Sequence, residues 1–80
     1  MTEKRFVISL SKLHKNKKFT AMAGEKVFDY CVFEIQYKII AGLPFYNLRF
    51  PEENIQDVCS NNAVDILEAV HEYFEVVVVP

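Results

Sequence analysis

Between residues 30 and 50 the chain offers two ways of burying its side chains, and the choice between them decides the fold. Phe28, Cys31, Val32, Ile35 and Ile39 mark a stripe at helical spacing, whereas Cys31, Phe33, Ile35, Tyr37 and Ile39 alternate with a period of two. Composition arbitrates. From 30 to 40 there is no Ala or Leu, and seven of the eleven residues are Val, Ile, Phe or Tyr, side chains that suit a pleated surface better than a helix. Alternation also sets Glu34, Gln36 and Lys38 on one face, while a helix would leave Phe33, Tyr37 and Ile40 off its stripe. A strand is therefore expected. Gly42 and Pro44 supply turn chemistry after it, and residues 45–50 alternate again, with Tyr46, Leu48 and Phe50 set against Phe45, Asn47 and Arg49. The two runs predict a β-hairpin.

The flanking segments extend the pattern. Residues 5–11 place Phe6, Ile8 and Leu10 on one side of a strand, and Phe19, Ala21 and Ala23 share a face in a second strand that ends at Gly24. The basic segment from Lys12 to Lys18 reads as the loop between them. Pro51 followed by Glu52 and Glu53 has the form of a helix start, predicting a short helix to Cys59. Asn62 is placed to cap a further helix with Asp65 in its first turn and Val64, Ile66, Leu67, Val70 and Phe74 on its buried stripe. Val76, Val77, Val78 and Val79 are apolar on both faces, which suits an interior strand or an edge covered by a partner, and Pro80 ends the ladder. Strands first and helices later give an α+β domain spanning 1–80, a mostly antiparallel sheet of four to five strands packed on one face by one or two C-terminal helices.

The 80 residues carry nine cations and eleven carboxylates, and the charges are segregated. Residues 1–50 hold all nine cations and four acids, a balance of +5, whereas residues 51–80 hold seven acids and no cation, a balance of −7. Salt screens such fields beyond about 8 Å, so a partner senses local patches. The first apolar stretch, residues 6–10, is too short for a secretory signal, and the longest uncharged run, residues 39–48, is half of a bilayer crossing. A cytoplasmic protein without a membrane partner is expected, with Cys31 and Cys59 as thiols, although one bridge between them fits the sequence as well.

Reaction chemistry has little to rest on. His14, Cys31, Cys59 and His71 lie 17, 28 and 12 residues apart, without the paired spacing of a metal site. Cys59 and His71 lack a nucleophile motif, and Gly24 and Gly42 are too far apart to cradle a phosphate. No enzymatic activity, metal or cofactor is expected. Binding surfaces remain. Asp65, Glu68, Glu72 and Glu75, spaced by 3, 4 and 3, would form one acidic helix face beside Tyr73, suited to another protein with a basic surface, for example as a regulator or inhibitor of a nucleic-acid-handling machine. The alternative is a nucleic-acid-binding module using Lys12, Lys15, Lys17 and Lys18 with Lys38 and Arg49, beside Phe45 and Asn47, on the solvent face of the sheet. The valine strand offers a third contact, a homodimer through residues 76–79.

Overall fold

The computed structural model describes residues 5–80. In chain order its elements are β1 (Arg5–Ser9), α1 (Leu10–Asn16), β2 (Lys18–Glu25), β3 (Phe28–Ile40), β4 (Leu43–Arg49), β5 (Val58–Ser60), α2 (Ala63–His71) and β6 (Glu75–Val79). Strands β2 to β5 form an antiparallel sheet in sequence order, while β1 and β6 pair in parallel as a separate two-stranded ribbon. The class is α+β, as the patterning predicts. The first and last strands, however, join each other and not the main sheet.

The 13-residue strand β3 is the spine, and its length matches the 42 Å long axis of the molecule. Its register sets Phe33 opposite Ala21, Ile35 between Phe19 and Leu48, and Tyr37 opposite Tyr46, which builds one apolar face. A β-bulge interrupts the alternation. Ala21 pairs with Phe33 but Met22 pairs with Cys31, so Val32 is an extra residue, and Val32 and Phe33 are buried in succession. Cys31 is thereby turned to the opposite face, away from the position that strict alternation predicts.

Everything else packs on the Phe33 face. The Phe6 ring of β1 meets Phe33 edge-on at 5.2 Å, and Phe74, Phe19 and Phe50 surround the same ring at 5.9, 6.0 and 6.3 Å. Leu13 of α1, Ile66 and Val70 of α2, and Ile8 and Val76 of the ribbon complete the buried cluster. One face of the sheet is covered; among the described residues nothing packs on the other.

Three local expectations are corrected. The lysine-rich segment is not a loop: Leu10–Asn16 is helical, capped by the Ser9 hydroxyl, which accepts from the Lys12 N–H, and anchored by buried Leu13. Its end is a left-handed turn at Lys17 (φ 61°). The helix predicted from Pro51 does not form. Residues 51–53 make a turn in which the Glu53 N–H donates to the Phe50 carbonyl, and Cys59 lies in β5, because Ile55 and Val58 give that segment too little apolar surface to dock a helix. Finally, α2 begins at the predicted cap, with Asn62 Oδ1 accepting from the Val64 N–H at 2.9 Å, but ends at His71, and Val64 faces solvent. Among the described residues no helix is long and apolar enough to cross a membrane.

Candidate binding surfaces

Because β3 alternates and pairs on both sides, its outward residues organise a grid on the open face. One row is Thr20, Glu34 and Arg49; the next is Lys18, Gln36, Asn47 and Cys59; a third is Lys38 and Phe45. Rows lie about 7 Å apart and strands about 4.8 Å apart. Lys18 Nζ sits 3.0 Å from Glu34 Oε1, so the one carboxylate in these rows is already paired. Lys38 Nζ lies 5.9 Å from the centre of the Phe45 ring, within cation–π range, and the Cys59 thiol donates to Asn47 Oδ1 at 3.0 Å. Beside Phe45 a groove of about 510 Å³ is lined by Ile40, Ala41, Leu43, Pro44 and Asn61. Asp29, a further acid with this outward direction, is beyond the bulge at the far end of β3.

The basic run is divided by the fold. Lys12 and Lys15 are exposed on α1, which packs on the covered face, and Lys17 forms its C-cap. Lys18 begins β2 and joins Lys38 and Arg49 on the other side of the sheet. What holds α1 in place is a cluster that sequence inspection passes over, in which His14 Nε2 and the Tyr46 hydroxyl lie 2.9 Å apart and the imidazole packs 4.4 Å from the Tyr37 ring. Burial, with a smaller contribution from Tyr37, holds the Tyr46 phenol above its ordinary pKa. Only the pairing of Tyr37 with Tyr46 across β3 and β4 hints at this cluster in the sequence.

The acidic stripe is shorter than its spacing suggests. Asp65 and Glu68 lie on α2, and Glu72 follows at its C-cap in a still helical conformation. Glu75 does not continue the helix: it opens β6 opposite Arg5, whose Nη2 lies 3.0 Å from Glu75 Oε1. Asp65 Oδ2 accepts from the Ser60 hydroxyl at 3.0 Å, whereas Glu68 and Glu72 make no ion pair among the described residues. The exposed Tyr73 ring stands 5.5 Å from Phe50 at the helix end. The acidic surface is thus three carboxylates and a tyrosine, on the side of the molecule opposite the cationic grid.

Among the described residues, no three His, Cys, Asp or Glu side chains converge in a metal-binding arrangement. The thiols are unbridged: Cys31 is half-buried and Cys59 exposed. Burial raises the Cys31 thiol pKa, and the nearby Glu34 carboxylate adds to that shift. Comparison of the chain with protein-family models, with curated proteins and with solved structures finds no match.

Proposed function

We propose that the chain is a non-enzymatic binding protein whose working surface is the open sheet face, and that this surface takes single-stranded nucleic acid. The observation that carries the reading is the convergence of Lys18, Lys38 and Arg49 on an uncovered face, around Gln36, Asn47 and the Phe45 ring at the lip of a groove. Cations in successive rows suit a phosphate backbone, amide side chains suit base edges, and a ring beside a recess suits an unstacked base. A flat sheet face cannot enter a duplex groove, so single strands fit it better than double helices. The chain's net charge of −2 does not oppose this, because the acids of α2 point away on the other side and salt screens them within about 8 Å.

Fluorescence anisotropy with single-stranded and duplex oligonucleotides at low salt tests the reading. Preferential single-strand binding is expected, with log K falling against log salt at a slope of about −2 for three phosphate contacts. Lys38→Glu and Arg49→Glu should weaken it, whereas Lys12→Glu and Lys15→Glu, on the opposite side, should not. Absence of binding at tens of micromolar, or equal losses from both pairs, refutes it.

A second reading rests on Glu68 and Glu72, which no described residue neutralises, with Asp65 and exposed Tyr73 beside them. This flank would engage another protein through a basic surface, in the manner of a regulator or inhibitor of a nucleic-acid-handling machine. Replacing Asp65, Glu68 and Glu72 with lysine should then abolish a nuclease-resistant capture while leaving the circular dichroism spectrum unchanged; retained capture removes the idea.

A further inference from the structure

We infer that β6 is a self-association edge, and that two copies of this chain pair β6 antiparallel about a two-fold axis through Val77. The ribbon is the starting point. Parallel strands are ordinarily buried inside larger sheets, yet among the described residues β1 and β6 have only each other. In a parallel ladder every second residue of each strand turns its N–H and C=O away from the neighbour. No backbone hydrogen bond outside the ladders and helices involves residues 75–79 among the described residues, so no described residue partners the outer edge of β6 through its main chain.

Ile8 and Val76 turn one face of the ribbon into the core, while Val7 and Val77 leave its other face exposed. Val7 and Val77, neighbours on that outer face, are 58 and 39% accessible, and Val78, on the inner face beside buried Ile8, is still 38% accessible.

Proteins protect sheet edges with charge, bulges, glycine or brevity, and the other edges here are protected. Strand β2 carries Lys18, Gly24 and Glu25 and faces a bulge, β5 is three residues long, and β1 begins with Arg5 and runs straight into α1. Strand β6 has one charge, Glu75, already paired with Arg5, and then four valines. A second copy is the occupant this edge suits. With the axis through Val77, Val76 lies opposite Val78 of the other copy and Glu75 opposite Val79. No like charges meet, and each Arg5–Glu75 pair stays at an outer end of the joint. The contact is self-complementary and closes at two copies. The product is a four-stranded sheet in which the two β6 strands are central.

Pairing two five-residue strands buries on the order of 700 Å² in total, under the roughly 1,200 Å² of stable interfaces, so the dimer is weak and reversible. Sedimentation equilibrium from about 10 μM to about 1 mM brackets such an affinity. The mass should rise from one chain toward two. Val77→Lys and Val77→Glu, each placing like charges face to face, should weaken association at least about tenfold, and an equimolar mixture should restore it as a Lys–Glu cross-strand pair. Val7→Lys, the same change one strand from the joint, should leave it nearly intact. In the unmodified protein, hydrogen-exchange protection at residues 76–78 should rise with concentration. A monomer at about 1 mM, assembly beyond two copies, Val7→Lys acting like Val77→Lys, concentration-independent protection or a mixture without recovery each overturns the proposal.

Discussion

Phe33→Ala removes the ring on which the packing converges, and its cost can be worked out from the contacts. Phe33 has no accessible surface and is ringed by Phe6, Phe74, Phe19 and Phe50 at 5.2 to 6.3 Å. Burying a phenylalanine removes roughly 150–200 Å² of apolar surface from water, about 4–5 kcal/mol at 25 cal/mol per Å². Alanine keeps a small part of this, while lost ring–ring contacts and the cavity add to the deficit, which places the expected cost at about 4 kcal/mol. A chain of 80 residues has a total stability of roughly 4–12 kcal/mol, so the variant sits near the limit of folding. Urea titration followed by circular dichroism measures it. With a slope near 1 kcal/mol per molar for so small a domain, the midpoint should fall by about 4 M, or the variant should be unfolded without denaturant. Phe28→Ala is the control: that ring is 76% exposed at the β2–β3 turn, and its loss should cost under about 0.5 kcal/mol. A Phe33→Ala cost below about 1.5 kcal/mol, or equal costs at both positions, would refute the assignment of Phe33 as the hub.

Tyr46→Phe loses the contact with His14 and should cost about 1 kcal/mol near neutral pH. It should also change the alkaline limb. The folded state holds the Tyr46 proton above the ordinary value of 10.0, so stability present below pH 10 falls as pH rises through the raised pKa, and thermal melts of the variant should show a shallower decline there. Gly24→Ala places a Cβ 2.6 Å from the Phe28 carbonyl oxygen at a φ of +116°, whereas Gly42, at +79°, has open space around it. The first change should cost more than the second by at least about 1 kcal/mol in the same titration; equal costs would show that the β2–β3 turn relaxes freely. Iodoacetamide on the native protein should modify exposed Cys59 well before Cys31, whose thiol is half-buried and held protonated, as read by peptide mass mapping; equal rates would contradict the described exposure.

What could be read from the sequence was what local pattern alone determines. The β3–β4 hairpin follows from alternation and turn chemistry, and α2 starts where Asn62 offers its cap. The errors arise where long-range packing prevails. The apolar spacing of α2 runs on to Phe74, but the Tyr73 and Phe74 amides both donate to the Val70 carbonyl, and the chain turns to bring Glu75 beside Arg5. That pairing spans 70 residues and has no local signature, so spacing alone puts Glu75 on the helix while the fold puts it in β6. In α1, two leucines among lysines are too few to register as an amphipathic pattern, and the helix exists because Leu13 finds a pocket and His14 finds Tyr46. The bulge at Val32 is equally silent, since one residue of slip changes no composition. The sequence marks Lys18, Lys38 and Arg49 together with Lys12 and Lys15, and only the register shows that the first three share a face while the last two do not.

The pairing of β1 with β6 also dictates when the chain can fold. Phe6 and Ile8 pair with a strand that lies about 70 positions further along the chain. Closing so long a span costs entropy that grows only slowly with length, but it postpones the closing step, so those side chains gain their shield late in folding. A variant cut ahead of the valines would leave Phe6 and Ile8 without the strand that pairs beside them, and limited proteolysis should cleave it faster than the intact chain.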